Sequence, residues 1–147
     1  MISKKKLLVI VLGLAALILA YRLWGGGVAD NDAIKENGHS VIFGLRPQNN
    51  SRQSGEVKIE ELNGQAYVTI DIAKGPTGVN QPVNIYFASC AKPGQIKYPL
   101  APVVDGHSET LLGGTLAQLK KELPLAIVVQ KSDGQSDTYV ACGDIKI

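Results

Sequence analysis

The chain has 147 residues, and this length leaves room for one domain with a real core once a targeting segment is set aside. Its formal charge is +2, but four of the fifteen basic residues lie within the first 24 positions, whereas all thirteen acidic residues lie beyond them. The rest of the chain therefore carries a charge of −2 and has no basic stripe with interleaved aromatic residues, which argues against nucleic acid as a partner.

A lysine cluster followed by a long apolar run begins the chain. Lys4, Lys5 and Lys6 precede apolar residues 7–20, and Leu23 and Trp24 extend the run. As a helix, this segment measures about 27 Å, which is at the short end of what crosses a bilayer. Because positive flanks stay on the cytoplasmic side, we predict a single-pass anchor over residues 1–24 in the cell membrane, with a cytoplasmic N-terminus and an extracytoplasmic C-terminal domain.

A cleaved secretory signal is the alternative interpretation of this segment. Gly27-Val28-Ala29 has small residues at the two positions that a signal peptidase inspects, so cleavage near Ala29 would secrete the same domain. Arg22 and Trp24 lie between the apolar run and that position, and they favour the uncleaved anchor. Residues 25–38 are glycine-rich and polar without apolar periodicity, which predicts a flexible linker before a folded domain over residues 39–147.

Within that domain the hydrophobic pattern has a period of two, which is typical of β-strands. Residues 55–62 and 65–74 alternate, and Asn63-Gly64 between them predicts a hairpin with a type I′ turn. We predict further strands over residues 40–45, 83–89, 108–112, 125–131 and 138–147.

One short helix interrupts these strands. Thr115 and Gln118 have the spacing of a capping box, and Pro124 ends the segment. Short strands with one minor helix indicate an all-β antiparallel sandwich or barrel.

Cys90 and Cys142 are the only cysteines in the chain. In an exported domain they are a disulfide candidate, and only one intramolecular pairing is possible. Two unpaired buried thiols are the alternative, whereas a redox-active pair is disfavoured because the chain has no Cys-x-x-Cys motif.

Three segments together resemble those of exported domains with the copper/zinc superoxide dismutase-like β-sandwich, and of the related CHRD (chordin-type) domains. They are residues 81–90 (QPVNIYFASC), 98–108 (YPLAPVVDGHS) and 139–145 (YVACGDI). The resemblance covers about residues 41–147. It implies an eight-stranded Greek-key sandwich, copper held by a His-x-His strand, and a disulfide from a long loop to the last strand, here Cys90 to Cys142.

The chain departs from that family at the metal ligands. Where the family reads His-Ile-His, this chain has Asn84, Ile85 and Tyr86, and Gln81 stands where another histidine is common. Tyr139 occupies the position of the catalytic arginine of the dismutases. An amide and a neutral phenol are poor ligands for copper or zinc. We therefore predict no metal site, no cofactor and no dismutase activity.

The former ligand strand still predicts a candidate site. On a strand, Ile85 faces the core while Asn84 and Tyr86 share the opposite face. The resemblance implies that Tyr139 joins them there and that Gln81 forms the rim. Such a polar and aromatic patch can bind a small ligand or an envelope protein. The alternative is that ordinary strand residues fill a lost metal site.

These patterns predict a non-catalytic, membrane-anchored structural or binding module at the cell envelope. The alternative is a residual copper- or zinc-binding or dismutase-like redox protein that recruits His39, His107 or acidic residues.

Overall fold

The computed structural model describes residues 40–147, which form an all-β domain with one short helix. The eight strands, β1 to β8, are Ser40–Pro47, Ser54–Leu62, Gln65–Ala73, Val83–Phe87, Ile96–Pro99, His107–Leu111, Leu125–Gln130 and Tyr139–Asp144. Helix α1 is Leu116–Glu122, and a 3₁₀ turn spans Asp133–Gln135. The predicted anchor, the predicted linker and His39 lie outside the described residues. Within residues 40–147, no helix has the length and apolar character needed to cross a membrane.

All eight strands pair antiparallel in one sheet with the order β5-β4-β7-β8-β1-β2-β3-β6. Strand β1 joins the two halves of this sheet, because its first six residues pair with β2 whereas Arg46 and Pro47 pair with β8. The predicted strand over residues 40–45 is therefore too short, since Arg46 and Pro47 also belong to β1. The difference arises because pairing with β8, far away in the sequence, holds both residues extended.

The sheet curls around one main hydrophobic core. Inward-facing residues from both halves form one buried cluster, including Ile59 and Ile70 on one side and Ile85 and Ile127 on the other. The segment after β5 contacts the other edge strand, β6: the Ala101 amide donates to Thr110 Oγ1 at 2.9 Å. The two edges of the sheet therefore approach each other at this connection.

Two tight turns carry positive φ angles, as the type I′ geometry requires. Asn63 and Gly64 have φ angles of 52° and 78°, so the predicted hairpin between β2 and β3 is confirmed. Asp105 and Gly106, with φ angles of 50° and 85°, turn the chain into β6. The sequence thus places the Asn63-Gly64 turn correctly.

Gly106 has a second constraint that Gly64 lacks, and this difference gives a testable prediction. A Cβ atom at Gly106 would lie 2.6 Å from the carbonyl oxygen of Ile72, whereas one at Gly64 would meet nothing within 4 Å. We expect Gly64→Ala to cost about 1 kcal/mol for its left-handed backbone, and Gly106→Ala at least about 2 kcal/mol. Urea unfolding of the two variants measures the difference, and equal losses would contradict the close approach at Gly106.

Helix α1 has the predicted capping box at its start. The Gln118 amide donates to Thr115 Oγ1 at 3.1 Å, and the Thr115 amide donates to Gln118 Oε1 at 2.8 Å. Leu119 is fully buried, and Leu116 and Leu123 pack against the core. The helix therefore packs its apolar face against the main core.

Strand β5 was not predicted. It has only four residues, Ile96–Pro99, and its side chains are exposed or half-buried. It therefore has neither the apolar alternation nor the length that marks a strand in the sequence.

Candidate functional site

Strand β4 carries Asn84, Ile85 and Tyr86, and its two faces differ as the alternation predicts. Ile85 is fully buried in the main core, between its sheet neighbours on β5 and β7. Tyr86 lies on the other face, in a separate small cluster. Asn84 has the same parity as Tyr86 and is 9% exposed.

The small cluster on this outer face is closely packed. We call it the outer cluster; it consists of Tyr86, Ala126, Val128 and Cys142, with Cys90 and Tyr139 packed against it. The Tyr86 ring lies 6.2 Å from that of Tyr139, tilted by 57°, within the range of favourable aromatic pairs. Only 5% of Tyr86 is exposed. Its ring is therefore a packing element and not an open binding surface.

Hydrogen bonds hold the phenol of Tyr86 in place. Gln130 Nε2 donates to Tyr86 Oη at 2.9 Å, and Gln130 itself is 8% exposed. Burial raises the pKa of Tyr86 above its ordinary value of 10.0, and repulsion from Tyr139 acts in the same direction, while hydrogen bonds from Asn84 and Gln130 act against them. The phenol therefore stays neutral at physiological pH, which makes it a poor nucleophile and a poor metal ligand.

Gln81 does not lie with the other three residues of the predicted site. It shares the inward parity of Val83 and Ile85, and 1% of it is exposed. Its Nε2 donates to Gln53 Oε1 at 3.0 Å. The structure therefore brings Asn84, Tyr86 and Tyr139 together but places Gln81 beside Gln53.

Two candidate site residues, Gln130 and Gln53, were not predicted from the sequence. Gln130 ends the apolar strand β7, and a polar residue in a strand that is buried throughout is a signal of a specific hydrogen bond. Gln53 lies in a polar loop, where nothing distinguishes it from its neighbours. The parity of Gln81 with Val83 would have indicated its inward orientation.

The predicted disulfide is confirmed. Cys90 and Cys142 are bonded with an Sγ–Sγ distance of 2.04 Å, so the alternative of two unpaired thiols is wrong. The bond links the loop after β4 to strand β8, and the Cys90 amide also donates to Asp144 Oδ1 at 2.7 Å. A cavity of about 210 Å³ lies beside the disulfide, lined in part by Cys90 and Asp144. The loop and the disulfide together cover one side of the outer cluster.

The one histidine among the described residues lies on a different part of the sheet. His107 begins β6, and its Nδ1 lies 2.7 Å from Asp71 Oδ1 while its Nε2 lies 3.4 Å from Glu109 Oε1. This trio is exposed on the outer face of β3 and β6, away from β4 in the strand order. Within residues 40–147, no three His, Cys, Asp or Glu side chains are arranged so that they could hold a metal ion.

The ion pair of His107 predicts a pH dependence of stability. The hydrogen bond that His107 donates to Asp71 raises the pKa of His107 above 6.5, its partial desolvation acts in the opposite direction, and the charge of Glu109 adds to the increase. Because the folded-state pKa is raised, this contribution is fully present below pH 6.5 and is lost as the pH rises through the raised value. We expect a small effect because half of the side chain is exposed.

Urea midpoints measured across this pH window, together with the pKa from an NMR titration, test that expectation. His107→Gln keeps a polar side chain and should remove the pH-dependent part. A His107 pKa at or below 6.5 would contradict the ion pair.

No family model, curated protein or solved structure matches this chain. The site must therefore be interpreted from its own geometry.

Proposed function

We propose that the chain is a membrane-anchored, extracytoplasmic and non-catalytic domain that serves as a structural or binding module at the cell envelope. The observation that carries this proposal is the state of the former ligand strand. Asn84 and Tyr86 are buried there, and Tyr86 is bonded to Gln130. Their amide and phenol groups are poor ligands for copper and zinc, and both side chains are already packed against their neighbours.

We propose further that the curled sheet is the Greek-key sandwich of superoxide dismutase-like domains. Two features support this assignment. Strands β3 and β6, and likewise β4 and β7, are sheet neighbours although two strands separate them in the chain, as long return connections in a Greek key produce. The disulfide joins a loop to the last strand, as the family resemblance implies. On this proposal, the chain keeps the sandwich fold of the family but has lost its metal ligands.

The extracytoplasmic location has two supports of different kinds. The apolar run over residues 7–20 follows three lysines, which favours an exported C-terminal domain. The disulfide between Cys90 and Cys142 suits an oxidising compartment.

Cells expressing the full-length chain offer a direct test of this location. We expect the protein to resist alkaline carbonate extraction from membranes and to be digested by protease added outside the cytoplasmic membrane. Protection from the protease would contradict the extracytoplasmic location, whereas carbonate-soluble protein would contradict the uncleaved anchor.

A superoxide dismutation assay tests the non-catalytic part of the proposal. The full-length protein is assayed after incubation with copper and zinc, next to an equal amount of free metal ions. We expect the protein to add no activity above that of the free ions. Dismutation that remains after the free metal has been removed would overturn the proposal.

A residual copper- or zinc-binding function is the second candidate, and one observation favours it. His107 lies between Asp71 and Glu109, and imidazole and carboxylate are ligands that zinc accepts. Both nitrogens of the ring already face carboxylates, so a metal would have to displace one of these contacts. Loss of the ion pair on addition of zinc, followed through the NMR signals of His107, would support this second candidate.

A further inference from the structure

Another cavity lies at the end of the sheet where Gln81 is buried, beside its hydrogen-bond partner Gln53. Its volume is about 420 Å³, and it is bounded by the loop after β3 and the segment after β7. The polar residues that line it are Gln53, Lys74, Lys131, Ser132 and Gln135. It shares no lining residue with the outer cluster.

The buried glutamine pair determines which groups this cavity can offer. Gln81 Nε2 lies within 3.4 Å of the carbonyl oxygens of Gln130 and Lys131, which can only accept hydrogen bonds. The amide of Gln81 must therefore present its nitrogen there, and the same nitrogen donates to Gln53 Oε1. Because the oxygen of Gln53 is used in this way, the other end of its amide is an NH₂ group, which can only donate.

The Gln53–Gln81 pair is buried and closely packed, so the orientation of its two amide groups is fixed. Gln53 is 8% exposed and Gln81 1% exposed. Gly75 packs directly against them: a Cβ atom there would lie 3.2 Å from Gln81 Oε1. A larger residue at position 75 would press on the pair, and the loop that bounds the cavity would have to move away.

The two charged side chains that line the cavity are both lysines. Lys74 and Lys131 line it, and neither forms a salt bridge within the described part of the chain. No Asp or Glu is among its lining residues in residues 40–147. The cavity therefore combines two ammonium groups with the amide NH₂ of Gln53 and the hydroxyl of Ser132. Such a set of donors complements an oxyanion, because charge-assisted hydrogen bonds to carboxylate or phosphate oxygens are the strong ones.

We propose that this cavity binds a small ligand through a carboxylate or phosphate group. The oxyanion lies between Lys74 and Lys131, and the amide nitrogen of Gln53 orients it. This cavity is distinct from the β4 residues at which we propose that metal ligation was lost. An anion bound here would be a ligand of the proposed binding module. Free anions and anionic groups on larger molecules share this chemistry.

The test is an NMR titration of the ¹⁵N-labelled full-length protein at constant ionic strength. The probes are inorganic phosphate and glucuronate, with glucose as the neutral control for glucuronate. We expect saturable shifts confined to Gln53 and to residues 74–79 and 131–135 with at least one anionic probe, and none with glucose. The probe that saturates at the lower concentration distinguishes a phosphate site from a carboxylate site.

Three variants make the test specific. Gln53→Glu keeps the oxygen that accepts from Gln81 but replaces the donor by a carboxylate, so it should abolish binding. Lys74→Gln combined with Lys131→Gln should weaken binding by about tenfold or more. Lys92→Gln combined with Lys120→Gln removes the same charge from exposed positions outside the cavity and should leave affinity unchanged.

Several results would overturn the proposal. These are the absence of saturable shifts with either anion, shifts spread over the surface, equal weakening in both lysine pairs, or full binding by Gln53→Glu. If Gln53→Glu fails to fold, the two lysine pairs still decide the question. None of these outcomes depends on whether the domain has dismutase activity.

Discussion

Replacing Cys90 and Cys142 together by alanine is expected to lower the free energy of unfolding by about 4 kcal/mol. The two residues are 52 positions apart, so the bond closes a long loop and removes much of the conformational freedom of the unfolded chain. For a domain of ordinary marginal stability, such a loss is a large share of the total. Urea unfolding of the oxidised wild type and the double variant measures it.

Reduction of the wild type provides the matched control for this prediction. The reduced protein should unfold at nearly the same urea concentration as the double variant, because the covalent link is the main interaction that both lack. The Cys90 amide still donates to Asp144 in each case, so the loop keeps one tether. A loss below about 1 kcal/mol in both would mean that the unfolded chain is already constrained by other contacts.

Truncating Tyr86 to alanine is expected to cost about 3–5 kcal/mol, the range found for buried aromatic residues. Its ring packs against Tyr139 and the β7 residues Ala126 and Val128, and almost none of it is exposed. The milder Tyr86→Phe should cost about 1–3 kcal/mol, because it leaves the buried Gln130 without the oxygen that accepts its hydrogen bond.

Tyr67 is the matched control for Tyr86. It also lies in the middle of a strand, but on a half-exposed face of β3. We expect Tyr67→Ala to cost less than about 1 kcal/mol. Both sets of variants are compared by urea unfolding at one pH. Unchanged stability in Tyr86→Ala would contradict the packing role and would favour a tyrosine kept for binding.

Local patterns predicted much of the fold. The Asn63-Gly64 hairpin and the capping box of Thr115 and Gln118 depend on residues close together in the sequence, and the structure contains both. Strand β5 and the end of β1 depend on partners far away. Pro47, for example, is extended because it pairs with Ala141, and no local pattern indicates that pairing.

The candidate site shows the same division between local and long-range information. The parity of Asn84, Ile85 and Tyr86 follows from strand geometry, and the structure has it. The burial of Tyr86 could not be predicted, because Tyr139 and the loop at Cys90 cover it from distant parts of the chain. The inward orientation of Gln81 was predictable from its parity with Ile85. We predicted it at the rim of the site instead, because its position resembles that of a ligand in the family.

A calorimetric titration of the full-length protein with copper and zinc tests the central claim most directly. The claim is that packing and hydrogen bonds have replaced metal ligation on the ligand strand of this fold. We predict no saturable binding of one ion per chain, in the wild type or in His107→Ala. Tight binding of one ion per chain would contradict the claim, and its loss in His107→Ala would assign the metal to that histidine.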